Sequence, residues 1–355
     1  MDFRFGDDPL LFQSTLRDFL AKECAPETVR ALWQAGPGSA PARALWQKLA
    51  ALGVPGLLVP EAQGGLGLSE IEGVLLHEEA GRAALPAPLI ATSAVAAPLL
   101  AELGGELALR WLPRIAGGDA LLAVGHPTLR FVEDAEAADL LLLAHGDDAL
   151  HALPRAQAQL TPQPTQDPGR RIASVAFDPS AATRVAQGAA ARALLAAALD
   201  RGALAAAAQA LGACERMLEL SVAYSSQRKQ FGKPIGSYQA VKHMLADAKV
   251  KLEYARPLVM RAAASVAHGA AARAPHVSMA KLAACEAARF AARVALQCHG
   301  AIGYTWEQDL HLFMRRAWTQ DQSWGRAPFH LARVRAAILD GSLAIGPGAT
   351  FAGGS

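Results

Sequence analysis

Apolar residues recur at helical spacing through most of the chain. Phe12, Leu16, Phe19 and Leu20 share one face of a first helix, and Trp46, Leu49 and Leu52 repeat the pattern. Two glycine-rich turns follow, Gly53-Val54-Pro55-Gly56 and Gly64-Gly65-Leu66-Gly67. Ser69 then stands where a side-chain oxygen can cap the next helix, which carries Leu75, Leu76 and the pair Glu78-Glu79. Pro86 and Pro88 end it. From 121 the pattern changes to short apolar runs at 121–124, 140–143 and 172–177, parted by Gly146-Asp147-Asp148, Pro162, Pro164 and Asp167-Pro168-Gly169. Runs of that length between turn residues predict strands. Helical spacing returns at 183, with a long alanine-rich pattern over 203–224. A second helix carries Val241, Met244, Leu245, Ala248 and Leu252, and Pro257 should kink it or mark a join. Others run over 279–296, from about Glu307, and from about Pro328.

These patterns predict a mainly α chain with a small β domain. A helical N-terminal domain covers 1–120, a reduced β domain 121–182, a four-helix bundle 183–345 and a flexible glycine-rich tail 346–355. Composition agrees. With 52% hydrophobic and 19% charged residues, the chain has far more to bury than a disordered one. A net charge of +2 leaves no footprint for nucleic acid, and no block of like charge suggests a membrane surface. The apolar runs at 89–100 and 189–211 are interrupted by Pro98 and by Arg192 and Asp200-Arg201-Gly202. A spanning helix needs about 20 apolar residues, so none is expected. The cysteines 24, 214, 285 and 298 are scattered, which fits free thiols in a reducing cytoplasm. Cys298 and His299 are adjacent but lack further ligands, so no metal is expected.

The chemistry concentrates at two helix ends. The first is Arg228-Lys229-Gln230-Phe231-Gly232-Lys233-Pro234-Ile235, followed by Gln239. A guanidinium, an amide and an aromatic ring beside a chain break suit a pyrophosphate and an aromatic ring system. The second is Gln297-Cys298-His299-Gly300-Ala301-Ile302-Gly303-Tyr304, where glycine lets the backbone approach a phosphate. Taken singly, Arg228-Lys229 is an ordinary surface pair, Phe231 a core residue, Gln239 a cap and Gly300 a turn.

In combination and in order, these motifs resemble the acyl-CoA dehydrogenases, as do Val59-Pro60-Glu61 with 64–67, Glu78-Glu79 with Gly81-Arg82, Leu245-Ala246-Asp247, and Glu307 with Arg315. The resemblance covers nearly the whole chain. It implies FAD at a subunit interface, with contacts from Arg228, Gln230, Phe231, Gln239, Gln297, His299 and Gly300. It implies α,β-dehydrogenation of an acyl-CoA thioester, in which a carboxylate takes the α-proton.

That carboxylate is missing. The family's usual glutamate position is occupied by Trp324, and the threonine after it by Arg326. The alternative position on the first bundle helix falls near Gly202-Ala203, with no acid there. Asp200 and Asp321 are the remaining weak candidates, and both suit capping or surface roles better. The β domain also departs from the family. Val124-Gly125-His126-Pro127-Thr128 runs quickly into Val132-Glu133-Asp134, so the segment expected to wall the flavin ring is lost.

The chain therefore resembles the short, non-catalytic subunit of heteromeric acyl-CoA dehydrogenases, such as the α2β2 enzymes of bacterial steroid side-chain breakdown. The implied partner is a longer subunit that supplies the base. Two alternatives stand beside it. One is a homo-oligomeric flavoenzyme with a non-standard base, and the other a scaffold that kept the fold and lost flavin.

Overall fold

A computed structural model describes residues 5–36 and 38–346. The expected tail, beyond Gly346, lies outside the described residues. The order is helical, then β, then helical.

The first region holds α1 (Asp7–Glu23), α2 (Pro26–Ala35), α3 (Ala40–Ala51) and α4 (Glu70–Arg82). Leu16, Leu20, Trp46 and Leu49 are buried, as their spacing predicts. Ser69 caps α4. Its Oγ accepts the Ile71 N–H at 3.2 Å, while its own N–H donates to Glu72 Oε2 at 2.9 Å. Next come a π-helical segment (Ile90–Ala96), α5 (Ala97–Leu103) and α6 (Gly105–Ala116). The apolar run is thus helical straight through Pro98. The Ala97 N–H donates five residues back to Thr92 O, and the wider turn absorbs the proline that follows.

The middle region has more strands than the sequence predicts. β1 (Leu122–Gly125) lies parallel to β3 (Leu140–His145). β3 pairs antiparallel with β4 (Ala149–Pro154), and β4 with β7 (Arg184–Gln187). A second sheet runs β2 (Val132–Glu133), β6 (Ile172–Ala176), β5 (Gln159–Gln163). β1, β3 and β6 coincide with the apolar runs. β5 is half polar and contains Pro162, so it carries no apolar signature, but it forms an edge where proline is tolerated. β7 lies beyond 182, where helix was expected.

The last region packs α7 (Ala189–Gln227), α8 (Gln239–Ala267), α9 (Arg273–His299) and α10 (Leu310–Gln322) as a bundle, with α11 (Ala327–Leu339) across it. α8 continues through Pro257 without a join. By length and composition α7 could cross a membrane, but 83% of its apolar window is buried inside the protein. Glycines bring α4 and α7 together backbone to backbone. A β-carbon at Gly81 would fall 2.0 Å from Gln209 O, and one at Gly212 would fall 1.8 Å from Glu78 O. Buried acids on α4 are paired: Glu79 with Arg17 at 2.6 Å, and Glu78 with Arg256. Burial still pushes the Glu78 carboxyl upward against its arginine.

Arg316 of α10 ties the regions together. It donates to Asp167 Oδ2 in the β region at 2.6 Å and to Leu85 O at 2.7 Å, and both members of the ion pair are fully buried.

Candidate functional site

α7 ends where Arg228 turns extended, its N–H donating to Tyr224 O at 2.8 Å. The chain then forms a two-stranded hairpin, β8 (Lys229–Gln230) and β9 (Lys233–Pro234), closed when the Ile235 N–H donates to Arg228 O at 2.8 Å. Its tip is Phe231-Gly232, with φ of 51° and 80°. Two successive positive φ values are the geometry of a tight hairpin turn. Glycine accepts it freely, whereas a bulky aromatic is strained. The Phe231 ring is 93% exposed, so it is not the core residue that its type alone suggests. Tyr238 Oη donates to Gln230 O at 3.2 Å, Lys233 lies 4.3 Å over the Tyr238 ring, and exposed Gln239 opens α8. Arg228, Lys229, Lys233 and Lys242 make no ion pair among the described residues, and no acid occurs between 228 and 246. This arm presents uncompensated positive charge and a bare ring.

The second motif lies at the same end. α9 closes on Gly300, at φ 65°, and Gln297 is exposed on its last turn. His299 is buried and stacks on Tyr224, ring centroids 4.6 Å apart and planes 22° from parallel. Its Nδ1 lies 2.7 Å from Ala295 O, an acceptor, so Nδ1 carries the proton. Burial lowers its pKa, so the ring is neutral and Nε2 keeps a lone pair with no partner. Tyr224 is the residue that sequence reading missed. It sits one turn before Arg228, and its stack on His299 is what brings the two motifs together. The α7 register of Tyr224 relative to Arg228 was the only available signal.

The two positions where a base would be expected meet, and the indole at one closes the space over the other. Trp324 is 2% exposed, with φ 52°. Its indole lies on Gly202: a β-carbon there would fall 2.1 Å from Cδ2 and 2.4 Å from Cε3. The His126 ring centroid is 6.4 Å from the indole. His330, held near pKa 4 by burial, donates from Nε2 to Trp324 O at 3.0 Å while Nδ1 accepts from Ser278 Oγ at 3.0 Å. Arg326 is exposed at the start of α11.

The remaining acids are occupied. Asp200 is buried and accepts from Arg333 at 2.7 Å, with Arg273 at 3.4 Å. Two residues along a helix turn a side chain about 200° around its axis, so Asp200 points away from the face that meets Trp324. Asp321 accepts from Gln322 at 3.1 Å and lies 3.7 Å from Arg289. The 126–131 connection is short. His126 Nε2 lies 3.1 Å from Leu195 O, and its Nδ1 accepts the Thr128 N–H at 3.1 Å.

The residues fit one end of a dinucleotide. Four unpaired cations, an exposed ring and a buried lone pair on His299 suit phosphates and a base. At the Trp324–Gly202 contact, the indole fills the space a side chain at 202 would need.

Residues 7–119 match the acyl-CoA dehydrogenase N-terminal domain, and residues 182–338 match the acyl-CoA dehydrogenase C-terminal domain. The chain is 35% identical over 332 residues to the acyl-CoA dehydrogenase IpdE2 of Mycolicibacterium smegmatis, covering 93% of this chain and 98% of that one. With IpdE2 of Mycobacterium tuberculosis it shares 34% over 309 residues, covering 86% and 90%. A glutaryl-coenzyme A dehydrogenase in complex with glutaryl-CoA has the same fold, with a TM-score of 0.87 at 22% identity over 96% of this chain and 97% of that one. The ChsE4–ChsE5 complex from Mycobacterium tuberculosis gives 0.83 at 24% identity, over 96% and 99%.

Proposed function

The chain belongs to the acyl-CoA dehydrogenase family, and we propose that it serves there as the non-catalytic subunit of a heteromeric enzyme. It lends Arg228, Gln230, Phe231, Gln239, Gln297, His299 and Gly300 to FAD held mainly by a longer partner, in an α2β2 assembly in the cytoplasm. The observation that carries this reading is the indole of Trp324 on Gly202. One side chain removes both positions from which a carboxylate could work, and Asp200 and Asp321 are committed to other partners.

The division of labour follows from the residues present. Arg228 and its neighbouring lysines neutralise phosphate charge. Phe231 leaves water only when a partner covers it. The neutral His299 accepts a hydrogen bond at Nε2. When bound, flavin supplies the acceptor for the substrate's β-hydride. The α-proton goes to a carboxylate of the partner, because Trp324 and Gly202 stand at the two base positions and Asp200 and Asp321 are paired with arginines. A bulky acyl-CoA, such as one with a steroid-derived acyl group, is the proposed substrate. The likeness to a solved Tcur3481–Tcur3483 steroid enzyme supports that class (TM-score 0.85 at 25% identity).

Co-expression with a longer acyl-CoA dehydrogenase subunit tests the reading. The assembled pair should be yellow and dehydrogenate acyl-CoA. A flavin-free pair would favour a scaffold instead.

A further inference from the structure

A cleft of about 190 Å³ opens where the N-terminal helices meet the bundle, between α1, the start of α2, the end of α4, α7 and α10. Three guanidinium groups line it, from Arg17, Arg82 and Arg216. They share two carboxylates. Glu79 accepts from Arg17 at 2.6 Å and 2.9 Å and lies 4.0 Å from Arg82. Glu219 accepts from Arg82 at 2.6 Å and from Arg216 at 3.2 Å. The next acids, Glu78 and Glu215, lie against Arg256 instead. The hydrogen bond to Glu79 raises the Arg17 pKa, so this group stays charged. Three cations against two anions leave the cleft one positive charge in surplus.

The floor is apolar. Leu20, Val29, Leu312 and Phe313 are all buried, and the Arg216 guanidinium stands 5.8 Å from the Phe313 ring centroid. A space of about 150 Å³ holds a benzene-sized molecule, so the cleft has room for one ring or a short branched chain. Apolar walls with a few convergent polar groups are the usual make-up of a small-molecule site. Arg216 stands 12 residues before Arg228, about 18 Å along the helix axis, so this cleft and the arm are separate.

We propose that this cleft binds a small monocarboxylate with an apolar body of about one ring. A guanidinium fork matches a carboxylate, the single surplus charge matches one anion rather than a phosphate dianion, and the floor covers the apolar body. Bound there, the ligand ties α1 and α2 to α7 and α10.

Benzoate is the probe, titrated calorimetrically into the full chain. It should bind saturably at a single site, and the melting temperature should rise with its concentration. Benzyl alcohol, which lacks the charge, and inorganic phosphate, which lacks the ring, should each bind more weakly by about tenfold or more. Arg216→Gln should weaken benzoate binding about tenfold, the size expected for one charge-assisted contact, while Arg82 still holds Glu219. Ala21→Phe, at the exposed rim, should shut the cleft and abolish binding while leaving the cations in place. The titration needs neither flavin nor a partner, so its outcome is independent of the subunit role. No binding of benzoate, equal binding of benzyl alcohol or phosphate, or benzoate binding unchanged in either variant overturns the proposal.

Discussion

The indole of Trp324 and the bare Cα of Gly202 occupy one another's functional space. They are 122 positions apart in the chain, on the loop after α10 and on α7. With a β-carbon at 202 only 2.1 Å from the ring, position 202 cannot regain a carboxylate while Trp324 stays as it is.

Gly202→Ala should therefore destabilise the protein by about 1–3 kcal/mol through overpacking. In a Trp324→Ala background the same change should cost little, because the ring it strikes is gone. A double-mutant cycle read by chemical denaturation measures the coupling. Equal cost in both backgrounds would mean that the contact is not what constrains Gly202.

Arg316 and Asp167 form a fully buried pair at 2.6 Å. Removing one partner leaves an uncompensated buried charge. Arg316→Met should cost about 3–5 kcal/mol. Adding Asp167→Asn should recover part of the loss, as seen in urea melts.

The Asp134 carboxyl is pushed up to about 7 by burial, against the opposing effects of Arg316 and the Arg171 N–H. A folded-state pKa above the unfolded value means that the native state binds the extra proton. Its stabilising contribution is full below about pH 4 and is lost as pH rises to about 7. Asp134→Asn should therefore flatten the pH dependence over that window and stabilise the protein at pH 8 by at least about 1 kcal/mol. Asparagine also tolerates the φ of 55° at this position. Melting curves from pH 4 to 8 check this. A variant that tracks the wild type throughout contradicts it.

Phe231 combines a positive φ with near-complete exposure, so it contributes strain and little packing to the isolated chain. Phe231→Asn should leave the chain's stability equal or raise it by a few tenths of a kcal/mol. The same change should lower flavin retention and assembly with the partner. Thermal melts of the chain alone and absorbance of the purified pair separate the two effects.

Local patterns made much of this legible. The helices followed from apolar spacing, the α4 cap from Ser69, and the placing of the two candidate motifs at helix ends from the chain breaks beside them. The reduced β region was visible only where strands were apolar. β5 and β7 are polar edge strands that gain their structure from pairing. Trp324 and Gly202 each stood out in the sequence, but their contact is tertiary and has no local trace. The same is true of the ion pairs that commit Asp200 and Asp321, and of the Tyr224–His299 stack that joins the two motifs.

The most direct measurement is flavin content and acyl-CoA dehydrogenation for the purified chain alone and for its complex with the longer subunit. The chain alone should be colourless and inactive. The complex should be yellow and active, and should lose turnover when the partner's carboxylate is replaced. A yellow, active protein obtained from this chain alone would contradict the account.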